Sequence, residues 1–112
     1  MSDDATPRLG LPYLAAAQAQ KHVTYNEAAA LLDALLQTAV LSRSTAAQPG
    51  SPADGDLYIL PGSATGSAWA GKPAGTLMRF EAGAWSSIPL ADGLLAYVAD
   101  EDTFVVCDGS SW

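Results

Sequence analysis

The chain has one cysteine, Cys107, and one histidine, His22. A single cysteine rules out an intramolecular disulfide framework. Cys107 sits in the apolar run Phe104-Val105-Val106-Cys107 and reads as a small buried hydrophobe. A lone histidine leaves a His-based metal site or a Cys–His pair without a second member, and His22, beside Lys21, reads as a surface or packing residue. Charge is scarce too, at 15% of residues against about a quarter in an ordinary soluble domain. The shortage falls hardest on cations. Residues 80–112 contain six acids and no Lys or Arg, and the whole chain carries a net charge of −7. Phosphate backbones and anionic bilayers are held by clustered Lys and Arg, so we expect neither nucleic-acid binding nor membrane insertion. No apolar run reaches the ~18 residues that span a bilayer, and Met1-Ser2-Asp3-Asp4 lacks the basic and apolar regions of a secretion signal.

What is present is apolar. Hydrophobic residues make up 49% of 112 positions, enough for one folded domain of common size. The period of that hydrophobicity changes along the chain. Ala15 to Lys21 is a short run of high helix propensity. Thr24-Tyr25-Asn26-Glu27 reads as a capping box, followed by an apolar stretch predicting a main helix over about 24–41. On it Asn26, Ala30, Asp33 and Gln37 form one narrow polar stripe, and almost everything else is apolar. A helix lying on one core needs an apolar arc of only about 100° or somewhat more. The excess predicts burial on two sides, one against a second chain, with Leu31, Leu32, Leu35, Leu36 and Val40 as the oligomer interface. The competing reading is a central helix wrapped within one domain.

Residues 42–56 are rich in Ser, Thr, Pro and Gly and read as a linker or loop; beyond them the period is two. Asp56–Leu60 reads as a strand, and residues 61–75 as a long loop carrying Trp69. Thr76–Phe80 and Trp85–Ile88 form one expected hairpin, Leu94–Val98 and Thr103–Cys107 another. The predicted fold is therefore α+β, an N-terminal helical segment (1–41), a linker or loop (42–56) and a small antiparallel sheet of hairpins (57–112), in one compact domain. Phe80-Glu81-Ala82-Gly83-Ala84-Trp85 is echoed by Cys107-Asp108-Gly109-Ser110-Ser111-Trp112, each a strand, an acid, a glycine turn and a tryptophan. The second copy stops where a return strand would start.

No Walker A motif, dinucleotide fingerprint, nucleophile elbow or paired zinc-ligand motif occurs. Asp54-Gly55-Asp56 and Asp100-Glu101-Asp102 do not have calcium-loop spacing and read as solvated turns. We expect no catalytic residues, no cofactor and no metal. Trp69, Trp85 and Trp112, with Tyr58 and Tyr97, pose a choice between covering a thin sheet core and stacking on sugars; loop-borne Trp69, with Trp112, is the stronger candidate for a glycan or partner contact.

Pro7-Arg8-Leu9-Gly10-Leu11-Pro12-Tyr13, running into Ala17-Gln18-Ala19-Gln20-Lys21-His22-Val23-Thr24-Tyr25-Asn26-Glu27, resembles a domain family of unknown function found in tail-fibre and spike proteins of alphaproteobacterial phages and gene transfer agents. Ser51–Ile59, Ala68-Trp69-Ala70-Gly71, Gly83-Ala84-Trp85 and Asp108–Trp112 fit the same resemblance. It implies a structural protein on the surface of a phage-like particle, assembled in the bacterial cytoplasm. The implied role is base or adaptor of a head spike or fibre, as a pentamer or trimer touching a capsid vertex or fibre protein. The alternative it implies is a receptor-binding module for surface polysaccharide.

Overall fold

A computed structural model describes residues 5–13 and 21–112, the side chains of 21–24 excepted. The helix-prone run 15–20 lies outside the described residues. The chain divides into two units, Met1–Leu36 and Gln37–Trp112.

Among the described residues the first unit contains one helix, α1 (Lys21–Leu35), which already runs through Lys21, upstream of the Thr24 capping box. The predicted main helix over 24–41 is corrected at its far end, because α1 stops at Leu35 and residues 39–40 are strand. Two physical causes end it. Gln37 takes the left-handed conformation (φ 48°), the usual way a helix is closed. The next residues, Thr38-Ala39-Val40-Leu41, include two β-branched side chains that fit extended backbone. Ahead of the helix, residues 5–13 make a tight loop. The Thr6 amide donates to the Leu11 carbonyl at 2.9 Å, and the Leu11 amide donates to Thr6 Oγ1 at 2.8 Å.

The second unit is where most of the regular structure lies, so the chain is mostly sheet rather than a helical segment followed by hairpins. Its strands are β1 (Ala39–Val40), β2 (Leu57–Ile59), β3 (Leu77–Glu81), β4 (Ala84–Ile88), β5 (Asp92–Val98) and β6 (Thr103–Asp108). They form two three-stranded sheets, ordered β1-β5-β6 and β2-β3-β4. The first sheet is mixed, since β1 runs parallel to β5 with Ala39 opposite Tyr97. This also corrects the expectation of a single antiparallel sheet. Residues 38–42 link the two sheets. The carbonyls of Thr38 and Val40 accept from the amides of Tyr97 and Ala99, while the Leu41 amide donates to Leu57 and the Ser42 carbonyl accepts from Ile59.

The hairpins β3–β4 and β5–β6 occupy the segments where the alternating pattern placed them. In β3–β4, Glu81 pairs with Ala84 and only Ala82 and Gly83 lie between, both at positive φ (57° and 79°). That is the two-residue turn whose twist matches that of the strands, and Gly83 supplies its second position without strain. The stretch 42–56 has backbone partners of its own. The Gln48 amide donates to Thr65 and the Thr65 amide to Ala46, at 3.0 and 2.8 Å, which stitches this stretch to the loop after β2.

Candidate functional site

Helix α1 presents its faces in the opposite sense to the simplest reading of its sequence. Of the polar stripe, Ala30 and Asp33 face inward, Asn26 is half-buried, and Gln37, past the helix end, is exposed. Asp33 is 0% exposed, and Ala29, Ala30 and Ala34 are buried with it. A carboxylate near a helix C-terminus meets the unfavourable end of the helix dipole, and a buried one needs donors. The loop of residues 5–13 provides them. The backbone amides of Arg8 and Leu9 donate to the two Asp33 carboxylate oxygens at 3.0 and 2.6 Å. The Arg8 guanidinium also donates to the carbonyls of Asp33, Ala34 and Leu36, capping the helix with a positive charge where one is favoured.

The outward face is leucine. Leu32 is 51% exposed, and Leu31 and Leu36 are also exposed, with Leu35 half-buried beside them. Four of the expected interface residues are therefore gathered on or just after α1. Val40 is not among them: it lies in β1, in the second unit, and is fully buried.

A second apolar surface lies on the β1-β5-β6 sheet. Leu95 stands opposite Val106, and Tyr97 opposite Phe104 and Ala39, so these side chains share one face. Phe104 is 64% exposed and Val106 56%; Leu95 is exposed as well, and so is Leu41, two residues beyond Ala39. The Tyr97 and Phe104 rings meet edge to face at 5.2 Å. The opposite face is buried through Val40, Ala96, Val98 and Cys107. Sequence reasoning did not single out this patch. The signal was available in the run from Phe104 to Cys107, where a hairpin strand with one solvated face would alternate with polar residues and this one does not.

Acids line the ends of this sheet. Glu101 makes a two-pronged ion pair with Arg43 at 2.9–3.2 Å, and the guanidinium holds its carboxyl below the usual carboxylate range. Asp102 accepts from the Tyr97 hydroxyl, which raises the Tyr97 pKa because the neutral phenol is the donor. Asp108 accepts from the Ser111 and Ser110 amides, and these lower its pKa. Among the described residues no group of three or more His, Cys, Asp and Glu is placed to hold a metal, and no helix is long and apolar enough to cross a membrane.

The tryptophans are divided among three settings. Trp69 is 0% exposed, packed in a core with Leu60, Ala64 and Met78. Its ring meets Trp85 at 5.1 Å and Tyr58 at 5.2 Å, both edge to face. Gln48 fixes the loop that carries it, since its Oε1 accepts from the amides of Ala68 and Trp69 at 2.7 and 3.1 Å. Gly66 is required there, because a Cβ on it would come within 2.4 Å of the Gln48 Cβ. Trp85 is half-buried and lines an open groove of about 480 Å³ with Phe80, Pro49, Pro52, Gln48 and Ser67. Trp112 is half-buried, donates from Nε1 to the Gly75 carbonyl at 2.9 Å, and lines a smaller cavity of about 230 Å³ with Arg43, Ile59 and Leu60.

Together these features define a mostly β module with one short helix among the described residues, whose conspicuous surface features are apolar faces. Residues 25–112 match a family described as protein of unknown function (DUF2793), and the chain belongs to that family. No curated protein and no solved structure matches it.

Proposed function

We propose that this protein works by contact rather than catalysis, as a self-assembling structural module at the surface of a phage-like particle such as a gene transfer agent. In this reading it is the base or adaptor of a head spike or fibre, a trimer or pentamer that contacts a capsid vertex or fibre protein and supports attachment to the host cell. The observation that carries the assembly part is the pair of exposed apolar faces, Leu31, Leu32 and Leu36 on one unit and Leu41, Leu95, Phe104 and Val106 on the other. Patches of this kind on a chain so short of charge mark protein contacts. The particle itself is proposed on the Gln18-Ala19-Gln20-Lys21-His22 stretch and its neighbours, whose resemblance is to spike and fibre proteins.

Light scattering on the intact chain tests the assembly. A mass of three or five chains is the expected result, and a monomer at all concentrations overturns it. Association with the particle is tested by tagging the chain and asking whether it co-purifies with assembled particles.

The Trp85 groove favours a second reading, a receptor-binding module for surface polysaccharide. Its aromatic wall and the flanking Gln48 and Ser67 supply a stacking surface and polar groups in one place. Trp85→Ala would then abolish retention on a polysaccharide matrix while leaving the oligomer mass unchanged.

A further inference from the structure

We propose that the two apolar faces are partners of each other between copies, the α1 leucine face of one subunit seating on the β1-β5-β6 sheet face of the next. This rests on the assembly reading above and specifies its interface. Charge selects the pairing. Residues 37–112 carry eight acids against Arg43, Lys72 and Arg79, and Asp92, Asp100, Glu101, Asp102 and Asp108 all belong to β5, β6 or the turn between them. Two sheet faces brought together would oppose those acids to their own copies, and like charges set face to face are destabilising. The helix is far less acidic: among its described side chains Glu27, one turn before Leu31, is the one acid that faces water. From Leu31 to Leu36 the one charged residue is Asp33, which is buried and bonded to the amides of Arg8 and Leu9. Lys21 belongs to the same helix.

Area points the same way. Apolar patches of a few side chains cover roughly 300–600 Å², short of the ~800 Å² per partner of a standard interface. A subunit that uses its helix toward one neighbour and its sheet toward the other engages both patches. Such a head-to-tail contact is heterologous, and it closes into a ring when the rotation between subunits allows. The β6 edge fits a covered position as well. Its segment Thr103–Asp108 contains no Lys and no Pro, and the register irregularity of this hairpin lies between Asp92 and Leu95 on the other strand, so β6 lacks the usual protections of an exposed edge.

Mixing two assembly-defective variants tests the pairing. Leu32→Glu damages the helix face and leaves the sheet face intact; Phe104→Glu does the reverse. Each alone should sediment as a folded monomer, with the circular dichroism of the wild type. Mixed in equal amounts at high concentration, they should form a species of twice the chain mass, because one intact helix face meets one intact sheet face. Absence of that heterodimer overturns the proposal, as does loss of assembly in only one of the two variants, which would indicate helix-to-helix or sheet-to-sheet contact. A wild-type oligomer indifferent to both substitutions overturns this interface and leaves the assembly reading standing; a wild-type monomer overturns both. Should Phe104→Glu fail to fold, Val106→Glu probes the same face.

Discussion

The two sheets of the second unit use aromatic residues in opposite ways. In β2-β3-β4 the rings of Tyr58, Phe80 and Trp85 gather with Trp69, and the Trp69 ring is wholly withdrawn from water. In β1-β5-β6 the edge-to-face pair Tyr97–Phe104 stands on the surface with Leu95 and Val106 beside it. Both sheets have three strands and a short hairpin. The difference lies in the connections between their strands. A long loop after β2 carries Trp69 back over its own sheet, held by Gln48, whereas β5 and β6 are joined by a tight turn of acids with no side chain to spare for cover. One sheet makes its core from within the chain, and the other leaves apolar area open.

The largest effect should come from breaking the self-covered sheet. Trp69→Ala removes a fully buried ring from a four-ring cluster, and aromatic-to-alanine changes in cores cost about 3–5 kcal/mol. Urea unfolding should show that loss without a change in the position of the β5–β6 resonances until the chain unfolds. Next comes the device that holds the cover in place. Gln48→Ala leaves the amides of Ala68 and Trp69 without their acceptor, at about 1–3 kcal/mol for a stranded buried donor. Near-ultraviolet circular dichroism should lose part of its tryptophan signal in this variant, since the Trp69 ring is no longer fixed against Trp85.

On the open sheet the expectation is reversed. Phe104→Ser should shift the stability of the dissociated chain by no more than about 0.5 kcal/mol, as for other exposed positions, while sedimentation shows the oligomer lost. A large destabilisation of the monomer would mean that Phe104 is covered within the chain and would erase the contrast. The smallest effect is electrostatic. Arg43 lowers the pKa of Glu101, and the Ser110 and Ser111 amides lower that of Asp108. Depressed carboxyl pKa values contribute stability that is present above the unfolded-state pKa and is lost as pH falls through the folded value. Stability should therefore decline below about pH 4, the ordinary carboxylate range. Glu101→Gln should flatten that acid limb slightly in a pH series of thermal melts, because an exposed ion pair contributes little.

Much of the second unit was legible in the sequence. Alternation and the Ala82-Gly83 turn located β3–β4, and the apolar runs on either side of Asp100-Glu101-Asp102 located β5–β6. The helix end was not legible. From Leu35 to Leu41 the residues are as compatible with helix as with strand, and the choice was made by partners distant in sequence, Arg8 on the helix carbonyls and Tyr97 and Leu57 beside residues 38–41. The candidate interface was half legible. Counting apolar residues on α1 identified an excess, but the continuous apolar run Phe104–Cys107 on β6 does not say which of its two faces is covered.

Sequence by itself determined which segments are periodic, where the tight turns fall and how little charge the surface has to distribute, because these depend on local sterics and composition. Only the tertiary structure decided that Asp33 faces inward while the leucines face out. A buried carboxylate is tolerated only where donors converge on it, and the Arg8 and Leu9 amides that do so lie 24–25 residues away along the chain. The same holds for Trp69 and Phe104. Each is a large apolar ring in an ordinary local context, and the presence or absence of a long-range partner such as Gln48 determines which one is enclosed.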